Sequence, residues 1–293
     1  MEFLGLDYIY TSHQRVFWIY LLSAFFIAMV YMRFFPKTLH EYKYRTIWWH
    51  KSAQMDYRYF MIIAFIKVVI ILPLILSSKD ISLWLTLFLQ EEFGFRTPLG
   101  ISKQSVVILY TLTLFIVGDF TRYLLHRAMH SFTFLWEFHK IHHSAEVLNP
   151  LTFYRVHPLE NILFGIRYSL SVGMVTGVFI YFFGAKIGLV EIVGANIFVF
   201  VSGILGSNLR HSHIPLRYGD SLEKIFISPY QHQLHHSKEF TDKNFGGTLA
   251  IWDYMFSTLR IEKTKVNIEY GINDSYNTIA EMLFKPFNKR MRG

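Results

Sequence analysis

The chain of 293 residues contains no cysteine, which excludes a disulfide framework, thiolate metal ligands, a cysteine nucleophile and an iron–sulfur cluster. The H-E-x-x-H arrangement of zinc peptidases is missing too, as is any glycine-rich dinucleotide fingerprint. No internal repeat, low-complexity tract or flexible linker breaks the sequence. Charge is nearly absent over five stretches, residues 16–32, 59–78, 105–117, 162–183 and 187–208. These runs approach the roughly 20 apolar residues that a membrane-spanning helix needs. They turn the net charge of +8 away from nucleic acid and towards a bilayer. The first run has no small-residue cleavage site and is followed by further apolar runs, so it reads as an anchor and not as a removed signal peptide. Lys67 and Arg167 are the positive charges inside runs, Lys67 placed to snorkel or face the bundle and Arg167 to snorkel from one end.

The fold class expected is an all-α integral membrane bundle of about four to five spans plus an interfacial helix, with a cytoplasmic helical cap. Residues 33–58 carry six basic side chains against Glu41 and Asp56, which places this connection in the cytoplasm by the positive-inside rule. Residues 79–104 are balanced at three basic and three acidic groups, and the apolar piece 81–89 within them is too short to span and reads as interfacial or re-entrant. Counting crossings with a tight turn at Gly184-Ala185-Lys186 brings residues 209–293 back to the cytoplasmic side. Three regions are expected: 1–104 membrane and interfacial, 105–265 catalytic, and 266–293 a cytoplasmic tail. Tyr8, Tyr10, Trp18, Trp48 and Trp49 flank segment ends and suit an interfacial aromatic belt.

What the sequence has in abundance is histidine in clusters: His126 and His130; His139, His142 and His143; His211; and His232, His235 and His236. Residues at i, i+3 and i+4 share a helix face, so each cluster points its imidazoles at one place. Nine imidazoles exceed what one ion uses, and two ions with four or five nitrogens each account for them. Imidazole suits iron, zinc, copper and nickel. Asp119, seven residues before His126, lies on the same helical face and is a candidate to hold the outer ring N–H of a ligand. His13, His40 and His50 are too far from other histidines for helical pairing and read as polar loop or interface residues.

The stretch from Asp119 through His126 and His130 to Trp136, His139, His142, His143 and Ser144 resembles the fatty acid hydroxylase/sterol desaturase superfamily of integral-membrane di-iron enzymes. Arg155-x-His157-Pro158-Leu-Glu160 is similar to an element of its sterol desaturase-like branch. His211-Ser-His213, Ser228-Pro229 with His232, His235 and His236, Asn244-Phe-Gly246 and Trp252-Asp253 complete the pattern over about residues 105–260. The resemblance implies that the nine clustered histidines bind two iron ions, with zinc able to replace iron in purified protein. His157 is implied as a tenth ligand, an outer-shell group or a substrate-side residue, and His213 as a ligand or a polar substrate-side group. Ser207 stands where one branch has a further ligand.

The same resemblance implies dioxygen and an external two-electron donor as co-reactants. An acidic electron carrier docking on the basic face would supply the electrons, although the same charge also suits anionic lipid. The expected reaction is hydroxylation of an unactivated C–H bond in a fatty-acyl or sphingoid-type lipid arriving from the bilayer. Sterol or isoprenoid desaturation or methyl oxidation is the alternative, and a pterin-using ether-lipid monooxygenase a third. Oligomeric state is not legible. A haem protein would place single axial histidines inside facing spans, and a metal transporter would need ionisable groups at the midplane; the sequence offers neither.

Overall fold

In a bilayer an apolar run has no water to satisfy its peptide groups, so it coils and bonds internally. The protein, a computed structural model describing residues 5–36, 44–263, 268–274 and 276–288, is mostly helical in keeping with that rule. In chain order its principal helices are α1 (Trp18–Phe34), α2 (Lys51–Ile66), α3 (Ser78–Phe93), α4 (Lys103–Ser131), α5 (Thr133–His143) and α6 (Pro158–Phe183). They are followed by α7 (Ile197–Ile204), α8 (Pro229–His235), α9 (Ile251–Met255) and α10 (Ile279–Asn288). Among the described residues the only sheet is a two-stranded hairpin, β1 (Glu191–Ile192) with β2 (Ala195–Asn196).

Among the described residues three stretches are long and apolar enough to cross a membrane: Lys51–Phe93, Lys103–Ser131 and Pro158–Lys186. Helix α1 is apolar but shorter, at 17 residues. The 29 residues of α4 extend about 44 Å at 1.5 Å per residue, well beyond a hydrocarbon layer of roughly 30 Å. Several turns are therefore left over, and His126 and His130 sit on the last of them.

Helix α3 packs along α6 through glycines. A Cβ on Gly173 would lie 2.6 Å from Ile81 Cβ, and one on Gly177 would lie 2.9 Å from both Leu85 Cβ and the Ser82 carbonyl. Small residues four apart are what allow two helices to approach this closely in lipid. Helix α4 runs antiparallel to α6. Tyr110 and Thr176 hydroxyls meet at 2.8 Å towards one end, and Arg167 Nη1 donates to the Gly118 carbonyl at 2.9 Å towards the other.

Four sequence expectations need revision. The run 187–208 is not a spanning helix. Val193 and Gly194 both adopt positive φ and close the β1–β2 hairpin, and Asn196 then caps α7, whose eight residues cover only about 12 Å. This segment leaves the level of Thr111, which accepts from Val190 N at 2.9 Å, and returns irregularly to His211. Residues 81–89 belong to α3 and lie against α6. The break between α2 and α3 comes from a π-helical turn at Lys67–Ile71 and from Pro73, which has no N–H to donate. Arg167 bonds inside the bundle instead of snorkelling, whereas Lys67 takes the second of its two expected placements and turns inward over the Tyr8 ring at 5.5 Å. Tyr8 is buried against Phe60 and Tyr154 and is no belt residue, whereas Tyr10, Trp18 and Trp49 are exposed.

Candidate metal centre

Helix α4 hands over to α5 through Phe132, an extended residue, so the His126/His130 turn faces the α5 histidines across a tight corner. Helix α8 begins at a capping box in which Ser228 Oγ accepts from Gln231 N and Gln231 Oε1 accepts from Ser228 N, with Pro229 in the first turn. That start fixes the phase of His232, His235 and His236. His211 ends the 3-10 turn Ser207–His211. All nine clustered histidines meet here, and they divide into two groups: His126, His130, His139, His143 and His235, and His142, His211, His232 and His236. Within each group the candidate ligand atoms lie within 4.8 Å of one another.

The separations have a coordination signature. Nε2 atoms approach at 3.2 Å for His126 and His139, 3.2 Å for His139 and His143, and 3.1 Å for His126 and His235. In the second group His211 Nε2 lies 3.2 Å from both His232 and His236 and 3.4 Å from His142. Metal–nitrogen bonds of about 2.1 Å give polyhedron edges of about 3.0–3.4 Å, octahedral to tetrahedral. The outer ring nitrogens fix the tautomer. Nδ1 of His126 donates to the Phe245 carbonyl at 2.8 Å, that of His235 to the Lys243 carbonyl at 2.7 Å, and that of His139 to Glu160 Oε1 at 2.9 Å. With the proton on Nδ1, each Nε2 presents a lone pair to the centre. Both ring nitrogens of His130 are buried without a hydrogen-bond partner.

Electrostatics favour the neutral form of six of these rings. Burial first, and then the positive charge that neighbouring imidazoles would carry, hold His142, His143, His232 and His236 well below the usual imidazole range. His211 is lowered by burial and then by Arg15 and Arg210, and His235 falls to about 3. Neutral imidazole is the ligating form. Donor type, spacing, tautomer and the orphaned His130 nitrogens together fit a pair of transition-metal ions.

Asp119 does not touch a histidine. Its carboxylate accepts from Thr248 N at 2.7 Å, Leu249 N at 3.0 Å and Trp252 Nε1 at 3.0 Å. Asp253 accepts from Phe245 N at 2.8 Å and Gly246 N at 2.7 Å, and Asn244, at φ 57°, accepts from Arg260 N at 2.7 Å. These three side chains pin the loop whose Lys243 and Phe245 carbonyls hold His235 and His126. Asp119 thus acts one step further out than its helical face suggests.

His157 and His213 lie outside both groups. His157 caps α6, accepting from Leu159 N at 3.0 Å and donating to the Leu283 carbonyl at 3.1 Å. His213 Nε2 accepts from Leu148 N at 3.3 Å, and its ring meets Tyr270 edge-on. His50 caps α2, His13 is exposed at the mouth of the cavity described next, and His40 lies outside the described residues.

Two further groups position the site without having been singled out in the sequence. Glu160 holds His139, and its place in the Arg155–Glu160 element was the available signal. The buried pair of Arg155 and Asp56, at 2.9 Å, ties the C-terminus of α5 to α2, with Arg155 Nε donating to the Ile141 carbonyl at 3.1 Å. A cavity of about 480 Å³ opens onto both histidine groups through His126, His139, His142, His211 and His232.

Residues 111–258 match the model of the fatty acid hydroxylase family. The alkylglycerol monooxygenase of Caenorhabditis elegans is 30% identical over 188 residues, covering 60% of this chain and 34% of that protein. The ornithine lipid hydroxylase OlsE of Rhizobium tropici is 27% identical over 180 residues, covering 60% of this chain and 50% of that protein. Human alkylglycerol monooxygenase is 30% identical over 166 residues, covering 56% of this chain and 33% of that protein. The match thus spans between a third and a half of each relative's length. No solved structure matches the chain. The family match covers half of the sequence and encloses all nine histidines of the two groups, and by it the chain belongs to the fatty acid hydroxylase family.

Proposed function

We propose that the protein is a membrane-embedded, dioxygen-dependent lipid hydroxylase built on two iron ions, one held by each histidine group. The observation that carries this reading is the division of nine buried imidazoles into sets of five and four, with no carboxylate or thiolate in either set. Bound there, the metal pair supplies the dioxygen activation that side chains cannot perform. The chain's own residues do the rest. Glu160 and the Lys243 and Phe245 carbonyls orient His139, His235 and His126, and the cavity admits a substrate to the face those rings share. Asp119 serves as a positioning residue for the loop. Electrons come from an external carrier.

The catalytic region is proposed to run over residues 105–265, with 1–104 completing the membrane part and 266–293 forming a tail. The basic connection 33–58 favours a cytoplasmic catalytic face. Hydroxylation of a fatty-acyl or related lipid is the first reading. The recurrence of alkylglycerol monooxygenases among the relatives supports a second, oxidation of the carbon next to an ether oxygen.

The test compares lipids from cells carrying the wild-type chain and cells carrying His142→Ala. Gain of one oxygen atom by a lipid class in the wild type alone supports hydroxylation. Release of a fatty aldehyde from an alkyl ether supports the second reading, and loss of two hydrogens would instead identify a desaturase. Identical lipid profiles with dioxygen and reductant supplied would defeat all three.

A further inference from the structure

The cavity in front of the histidines is walled by positive charge. Arg15, Arg122, Arg167 and Arg210 all line it, together with Lys67. Three of the guanidiniums are interleaved with aromatic rings. Arg15 lies 5.2 Å from the centroid of Phe153; Arg122 lies 6.0 Å from the same ring and 5.4 Å from Phe164; Arg167 lies 5.9 Å from Phe164. The rings hold the three cations side by side without neutralising them. Arg210, only 4% exposed, gives Nη1 and Nη2 to the Gly247 and Ile227 carbonyls and leaves Nε without a partner. Nε of Arg167 is likewise buried and unpartnered.

Among the described residues no carboxylate oxygen lies within 4.0 Å of any of the four. Two acids stand near this space without pairing with the arginines: Glu160, whose Oε1 bonds His139 while Oε2 is buried without a partner, and Asp119, which accepts from Thr248, Leu249 and Trp252. Burial first, and then the charges of Arg210 and Arg122, push Arg15 down to about 9, with Asp119 opposing them only in part. Gathering like charges in a confined site is costly, and an oxyanion that accepts from several guanidinium forks relieves that cost.

We propose that Arg15, Arg122, Arg167 and Arg210 bind the phosphate of a phosphate-bearing lipid substrate beside the histidine groups. A phosphate is favoured over a carboxylate because it brings up to two charges and three acceptor oxygens to several cations. A second cavity of about 470 Å³ shares Arg15, Arg122 and Arg167 with the first and is lined further on by Leu114, Val172 and Val199, with Asp119 and Glu191 also on its wall. It accommodates the apolar tail. The headgroup then sits on the wall common to both spaces, which places the oxidised bond near the polar end of the lipid. The inference takes its substrate from the lipid-hydroxylase reading, but it is tested by binding alone and needs no turnover.

The experiment uses the full chain, metal-loaded, in uncharged detergent, and measures binding of hexadecyl phosphate, hexadecanol, hexadecanoate and inorganic phosphate. Hexadecyl phosphate should bind roughly tenfold or more tightly than hexadecanol. Arg15→Gln and Arg122→Gln should each erase most of that preference while the protein keeps its metal content; Arg167→Gln replaces either variant that loses metal. Equal binding of hexadecyl phosphate and hexadecanol overturns the proposal. So does inorganic phosphate binding as tightly as its alkyl ester, which would mean a free-anion site, and so does a preference for hexadecanoate. A preference that survives in all the folded variants would place the anion away from these arginines.

Discussion

The two histidine groups are built to different standards of rigidity. In the group of five, three Nδ1 atoms are anchored, to Glu160, the Phe245 carbonyl and the Lys243 carbonyl, and the loop behind those carbonyls is itself pinned by Asp119, Asn244 and Asp253. The other two members of that group, His130 and His143, have Nδ1 atoms without a hydrogen-bond partner, as do His142 and His232 in the group of four. Three of its members, His142, His211 and His232, line the cavity, against two of the five in the other group. Anchored imidazoles lose less freedom on binding a metal and are more basic ligands. On the proposed two-ion reading, the five-histidine group would hold its ion more tightly and the four-histidine group would hold a more labile ion on the cavity side.

The sharpest ways to break this comparison are substitutions inside the groups. His235→Ala and His232→Ala should each lower lipid oxidation roughly 100-fold or more, since a dinuclear reaction needs both ions. Metal analysis should separate them, with His232→Ala losing the labile ion and His235→Ala weakening the firm one. A graded chelator titration of the wild-type protein should then release metal in two phases, and His232→Ala should abolish the earlier phase. Glu160→Gln should weaken metal binding at the five-histidine group by roughly 10- to 100-fold and leave the early chelator phase in place.

Smaller effects come from outside the centre. Gly177→Leu inserts bulk where α3 touches α6 and should lower the melting temperature, at a cost of about 1–3 kcal/mol, with both metals retained. A further test, at the centre itself, is the pH response of the metal-free protein. His235 titrates near 3 when folded, against 6.5 for the free side chain, so the native state binds fewer protons below that value. Stability should therefore be full above about pH 6.5 and fall progressively on acidification towards 3, with thermal melting of the metal-free protein as the measurement.

Much of the site was legible because its chemistry is local in sequence. His139, His142 and His143 share one helical face through spacing alone, and the same holds for His126 with His130 and for His232 with His235 and His236. The pairing of these turns into sets of five and four was not legible, because it depends on the Phe132 corner and on where α8 docks. Residues 187–208 misled because hydropathy registers apolarity but not φ, and the Val193-Gly194 turn and the Asn196 cap end any helix there. Asp119 has the right face but the wrong reach, its carboxylate being taken by backbone 129 and 130 residues away. The arginine-lined cavity was hidden for a similar reason: its four members come from positions as distant as 15 and 210 and carry no spacing pattern.

The central claim is that nine imidazoles hold two metal ions in unequal groups. Elemental analysis of the iron-loaded protein tests it most directly, with His130→Ala and His211→Ala measured beside the wild type. The account predicts close to two irons per chain, and each variant falling towards one. A wild-type value settling at one, or two irons retained in both variants, would contradict it.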